Sequence, residues 1–216
     1  MAPDTLVSLG IGTLALAVAA ASLWLLRATP RTWAGVAGWL GLTAALAAAG
    51  VFERFTPPPP LMIAVAVAAA AVVSAARSAD PLDRPVRWLV ALQAFRLPLE
   101  LVMHHAATHG IMPVQMSFSG WNFDILTGLG ALALTLWPAP PRWALRAWNV
   151  AGACLLAAIV VIAILSTPTF ARFGDAPEVL NTWVAQPPYI WLPTVLVPAA
   201  LLGHLWIARA LRASPD

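Results

Sequence analysis

The run from Thr5 to Leu26, TLVSLGIGTLALAVAAASLWLL, carries no charge and is followed at once by Arg27. About 20 apolar residues cross the hydrocarbon core of a bilayer as a helix, so this stretch reads as a transmembrane span. It contains a cleavage-like Ala-Val-Ala-Ala-Ala-Ser, but its start carries Asp4 and no basic residue, which argues for a retained first helix rather than a secretory leader. Six further apolar runs follow: Thr32 to Phe52, Leu61 to Ala76, Val86 to Thr108, Phe123 to Trp137, Trp143 to Ser166 and Tyr189 to Leu211. The expected fold is an all-α bundle of about seven transmembrane helices, one domain over residues 1–216, with the lipid bilayer as its surroundings. Composition agrees, since 61% of residues are hydrophobic and 10% charged, against about 25% charged in soluble domains.

All twelve basic residues are arginines, and all but Arg96 lie between the runs or near their ends, so no basic stripe for nucleic acid forms. The absence of lysine excludes a retinal pigment, whose Schiff base needs that amine. Arg27, Arg31, Arg77, Arg84, Arg87, Arg142, Arg146, Arg209 and Arg212 fall on one side of the predicted spans, and only Arg54 and Arg172 on the other. The positive-inside rule makes the first side cytoplasmic and the N-terminus external. Trp24, Trp33, Trp88, Trp121, Trp137, Trp143, Trp191 and Trp206 cluster near run ends, as an aromatic belt would. The single cysteine, Cys154, allows no intrachain disulfide and reads as a small apolar packing residue.

The first three spans carry little chemistry, and Ala34 with Gly38 and Ala37 with Gly41 form small-xxx-small pairs suited to close packing. No internal repeat suggests an inverted-repeat transporter. In the segment from Thr167 to Pro188, Asp175, Pro177 and Glu178 look like a helix start, predicting a short interfacial helix through Leu180, Trp183 and Val184; a plain loop is the alternative.

The fourth span differs. Gln93, Arg96, Glu100 and His104 lie at spacings of three, four and four, which at ~100° per residue confines them to about 80° of arc. Glu100 stands ~20 Å beyond Arg87 at ~1.5 Å per residue, so the stripe must face the bundle interior. Pro98 is expected to leave the Ala94 carbonyl free and bend the helix. Buried Arg96 and Glu100 imply pairing. Either the pair forms a ligand or proton site, with Glu100 as acceptor and Arg96 as counter-charge or anion clamp, or it only fixes packing. His104 is a proton relay or a hydrogen-bonded packing residue.

The connection from Gly110 to Asp124 is uncharged until its last residue and rich in Met, Phe and Trp, so it is expected to fold over the bundle mouth above that stripe. Asn122 and Asp124 then serve as helix caps or as site residues aimed at Glu100. Met103, His104, His109, Met112 and Met116 offer a thioether and imidazole set of the kind copper takes, in irregular spacing. His204 lies roughly 15 Å deeper than His104 by helical rise, so the two cannot share a haem. Asn149 and His204 read as interhelical packing groups. No cofactor is specified, and no hydrolase triad or zinc-protease motif is present, which leaves enzymatic activity open.

Phe95-Arg96 with Glu100, then Gly110, Pro113, Met116, Phe118, Gly120 and Asn122-Phe123-Asp124-Ile125, resemble a motif of uncharacterised bacterial multi-pass inner-membrane proteins. The likeness extends through Trp148-Asn149 and Trp191-Leu192-Pro193 to His204, about the second half of the chain. It implies a bacterial inner-membrane location and Arg96, Glu100 and Asp124 as a set, and brings no reaction. Trp121 stands where that motif suggests a basic residue, so the resemblance supplies no charge partner for Asp124. Two functions fit the sequence: binding or translocation of a small polar ligand or proton from the outer side, or a structural or assembly subunit of a membrane complex. The partner is accordingly a small ligand, a second copy of the chain, or another membrane protein.

Overall fold

Prolines set where several helices begin, because the first turn needs no amide donor from them. In the computed structural model, which describes residues 3–78 and 85–213, the helices are α1 (Pro3–Leu25), α2 (Pro30–Ala48), α3 (Pro60–Ser78), α4 (Val86–Gln93), α5 (Arg96–Thr108), α6 (Ile125–Leu136), α7 (Arg142–Leu165) and α8 (Val197–Ala213). Pro30 and Pro60 open α2 and α3, and Pro85 and Pro141 stand just ahead of α4 and α7. Arg84, one of the arginines assigned above to the cytoplasmic side, lies outside the described residues. The fold is all-helical, with no strand among the described residues. Four stretches are long and apolar enough to cross a membrane: Asp4–Leu25, Pro60–Arg77, Arg142–Leu165 and Leu192–Arg212. Ile125–Leu136 is apolar but shorter.

Polarity is distributed as a bilayer requires. Leu9, Leu16, Leu101, Leu126, Leu136, Val150 and Val161 are exposed, while Gln93, Arg96, Glu100, Asn122, Asp124, Asn149 and His204 are buried. A water-soluble protein does not leave so much apolar surface outside while enclosing charges. Cys154 sits on the exposed apolar exterior of α7 rather than in the core. Trp24, Trp33, Trp88, Trp121, Trp137 and Trp143 are exposed in keeping with a belt, whereas Trp206 is buried and Trp191 is tied inward.

α8 is the packing hub: α3, α4 and α7 all lie against it, α1 packs on α5, and α4 and α5 pack on α6. Its C-terminal carbonyl groups face α7, where Arg142 Nη2 donates to the Leu211 oxygen at 2.6 Å and Arg146 Nη2 at 3.3 Å. Cations at a helix C-terminus complement both the unpaired carbonyls and the dipole.

Prolines also shape the interior. The fourth predicted span is interrupted at Ala94–Phe95, one turn ahead of Pro98. The Ala94 carbonyl is not left free as expected, because the break lets the Leu97 N–H reach it at 3.1 Å. Ahead of α8 the chain widens into a π turn over Leu192–Leu196. Pro198 cannot donate to the Thr194 carbonyl one turn back, and the Trp39 indole N–H does so instead at 3.1 Å. Trp191 Nε1 returns the tie by donating to the Leu40 oxygen at 3.1 Å, so α2 braces the π turn.

Two expectations are corrected. The small-residue face of α2 makes no close packing within the chain, since a Cβ built on Gly35, Gly38 or Gly41 meets nothing within 4 Å. Nor does the segment from Thr167 to Pro188 form an interfacial helix; it contains only the 3-10 turns Pro177–Val179 and Trp183–Ala185. Its backbone is claimed by distant partners: the Asn181 N–H donates to the Ser166 oxygen at 2.8 Å, Asn181 Nδ2 to the Ala163 oxygen at 3.1 Å, and Gln115 Nε2 to the Val179 oxygen at 2.8 Å.

Candidate functional site

Three glycines let α6, α7 and α8 converge on the polar stripe of α4 and α5. A Cβ on Gly128 of α6 would stand 2.5 Å from the Leu97 backbone nitrogen, and one on Gly152 of α7 would stand 2.7 Å from Thr127 and 2.8 Å from His204. One on Gly203 of α8 would overlap the Gln93 amide. These positions, not the α2 face, provide the close approaches. Gly128→Ala, whose methyl meets backbone that cannot swing aside, is expected to lower stability by about 1–3 kcal/mol, read as an earlier thermal unfolding transition in mild detergent; an unchanged transition would show that α6 does not bear on Leu97.

That approach places Asp124, at the start of α6, against Arg96, the first residue of α5. Arg96 Nε lies 3.1 Å from Asp124 Oδ2, with both side chains buried. Asp124 Oδ1 also accepts from Thr127 Oγ1 at 3.0 Å. On the other side of the guanidinium, Arg96 Nη1 is 3.0 Å from His204 Nε2. Asn149 sets the tautomer of that imidazole. Its Nδ2 donates to the His204 backbone oxygen at 3.2 Å, which turns its Oδ1 toward His204 Nδ1 at 2.9 Å. The network therefore assigns the ring proton to Nδ1 and leaves Nε2 as a neutral acceptor for arginine.

Glu100 is held differently. Asn122 Nδ2 lies 2.9 and 2.8 Å from its two oxygens and 3.0 Å from the Met116 oxygen. An amide nitrogen has two hydrogens, so one serves Met116 and the other is shared by the carboxyl group. Asn122 Oδ1 meanwhile accepts the Asp124 N–H at 3.0 Å. Asn122 thus acts both as a turn cap and as the donor to Glu100, while Asp124 belongs to the ion pair and gives α6 no side-chain cap. The expected counter-charge for Glu100 is instead the closest partner of Asp124.

Of the residues singled out in sequence, Arg96, Glu100, Asn122 and Asp124 come together. Gln93 is buried beside them against Gly203, but neither end of its amide is hydrogen-bonded. His104 stands apart, stacked on Phe118 at 4.2 Å with Nδ1 3.0 Å from Ser119 Oγ. In the copper-type set, Met103, Met112 and Met116 are buried, His104 is engaged as described, and His109 Nδ1 lies 2.9 Å from the His105 oxygen. Among the described residues no three His, Cys, Asp or Glu side chains converge as a metal site. His204, Asn149 and Thr127 are the members that sequence reasoning left out of the site.

The connection between α5 and α6 covers this centre, with Met112, Gln115, Met116 and Ser117 buried. Beside it runs a cavity of about 310 Å3, at the lower end of the ~300–1,000 Å3 range of small-molecule pockets. Arg96, Glu100 and Asp124 form its polar floor, and α3, α7 and the π turn form apolar walls. Arg96 Nη2 is fully buried and has no hydrogen-bond partner. No family model, curated protein or solved structure matches the chain. A guanidinium whose Nη2 has both N–H groups spare takes an acceptor, and a carboxyl group served by one shared N–H takes a proton or a donor.

Proposed function

We propose that the chain is a seven-span bacterial inner-membrane protein, N-terminus outside and C-terminus cytoplasmic, that binds or passes a small ligand or a proton at the Arg96, Glu100 and Asp124 centre. Counting α4 and α5 as one interrupted span gives the seven, and the arginine distribution supports the orientation. The observation that carries the reading is a cavity lined by Arg96, Glu100 and Asp124, behind which Arg96 Nη2 is buried without a hydrogen-bond partner. A guanidinium placed there only for packing has no need of a cavity. Its cost inside a membrane, at least ~2.5–3.5 kcal/mol on insertion scales, favours a task.

A second reading, a structural or assembly subunit, draws on the α2 face, where Gly35, Gly38 and Gly41 lie open as small-residue helix contacts do before a partner docks. Glu100→Gln separates the two. Glutamine keeps an oxygen for the Asn122 N–H, so the variant is expected to fold. Native mass spectrometry from mild detergent is expected to show a small molecule on the wild type and its loss from the variant. A bare chain in both forms, or one bound only to another protein in both, would overturn the ligand reading.

A further inference from the structure

We infer that the ligand of this centre is a membrane-dissolved, single-chain lipid with an uncharged oxygen head, entering sideways from the bilayer between α3 and α7. The inference rests on the ligand reading above and names the chemical class and the route.

The first observation is the shape of the cavity. Its wall runs on α3 from Leu61 to Ala69 and on α7 from Leu156 to Ile164, a slot roughly 12 Å long at ~1.5 Å per residue. Apart from the floor and Thr167 and Asn181 at the far end, the wall is apolar. A small polar solute would leave most of that length in contact with hydrocarbon groups, whereas an alkyl or prenyl chain fills it.

The second is where the slot opens. α3 and α7 each pack closely on α8, from either side, and the cavity lies over the π turn between them. Among its lining residues Ala66 on α3 and Ile164 on α7 are exposed, and they form the lips. These residues face what surrounds the bundle, which for apolar side chains in a membrane protein is lipid. At the end nearer the covering segment the slot is bounded by buried Val184 and Asn181.

The third is the chemistry of the floor. A head that passes through hydrocarbon between such lips must be uncharged, because an ion there is costly. It must also offer an acceptor to Arg96 Nη2 and an O–H to Glu100, whose oxygens share a single N–H. An alcohol, an enol or phenol, or a protonated carboxylic acid on a long chain has both functions. A phosphate or quaternary ammonium head has the wrong charge for the route, and a bare alkane leaves the floor unanswered.

The test uses the full chain in phosphatidylcholine nanodiscs and a diazirine-bearing dodecanol, with adducts mapped by peptide mass spectrometry. Labelling is expected to saturate and to concentrate at Ala66, Ala69, Ile159 and Ala163. Unlabelled dodecanol should compete and dodecane should not. Glu100→Gln, which loses the carboxylate acceptor, should cut labelling about tenfold, and Ala163→Trp, which fills the slot and leaves the floor intact, should abolish it. The wild-type competition stands even if a variant misfolds. Non-saturating labels spread over the apolar exterior, or equal competition by dodecane, would overturn the inference. If a tail-free, water-soluble molecule is then found on the wild type and lost from Glu100→Gln, the ligand reading survives alone; if nothing is found, both fall.

Discussion

Arg96→Met is expected to destabilise the protein by about 3–5 kcal/mol, the range for breaking a buried ion pair from one side. Methionine matches the length of the arginine stem, so the loss is electrostatic more than volumetric. Asp124 then keeps only Thr127 Oγ1 as a side-chain partner, and the His204 Nε2 lone pair faces an apolar group. The decisive comparison is Arg96→Met with Asp124→Leu. Removing both charges takes away the uncompensated carboxylate, and replacing a whole buried pair by apolar residues is often neutral or stabilising. The double variant should therefore unfold later than Arg96→Met alone, measured as thermal transitions in the same detergent. Equal transitions for the two would mean that Asp124 does not depend on Arg96. Ligand binding gives the complementary readout: the double variant should be folded and empty, because the acceptor-seeking Nη2 is gone.

The same pair shows what can be read from a chain and what cannot. Spacing along one span is local information, and Gln93, Arg96 and Glu100 are all buried, on either side of the break at Ala94–Phe95. The connection after α5 is buried over them in part, through Met112, Gln115, Met116 and Ser117, while Val114, Trp121 and Phe123 stay exposed. The identity of the ion pair depends instead on how close α6 comes, which is governed by Gly128 against Leu97. Nothing in the fourth span reports that contact, so Glu100, the neighbour one turn away, looked like the natural partner. Asn149 and His204 were each seen alone and assigned to packing. Yet a usable signal existed: Arg96 is eight residues below His104, ~12 Å by rise, which is close to the depth derived independently for His204. Matching depths across helices, and not only spacing along one, would have joined them. The segment from Thr167 to Pro188 failed for the opposite reason. Its capping residues are sound local signals, but Asn181 and Gln115 bind its backbone to α7 and to the covering loop, and tertiary bonds override weak local propensity. On α2 the small-residue spacing identified a face and could not say what lies opposite it.

Asn122→Leu is expected to cost about 3 kcal/mol. A single interhelical hydrogen bond in a membrane protein averages only ~0.6 kcal/mol, which would make most polar substitutions here mild. Asn122 is different because one buried side chain meets three demands: the Glu100 carboxyl group, the Met116 carbonyl and the Asp124 N–H. Leucine meets none and leaves each group buried, and bonds to a charged group are worth ~1.5–3 kcal/mol on their own. Asn122→Asp discriminates among these roles. Aspartate retains an acceptor for the Asp124 N–H, so the turn into α6 survives, but it replaces the amide donor with a carboxyl group facing Glu100. If the donor role dominates, the aspartate variant should be nearly as unstable as the leucine variant near neutral pH and should recover part of the loss in acid, where a carboxyl proton can be shared across the pair. If capping dominates, aspartate should resemble wild type at every pH. Thermal unfolding of the three proteins across a pH series separates these outcomes. It tests whether the loop between α5 and α6 is held down chiefly by its grip on Glu100, which would couple loading of the site to the segment that covers it.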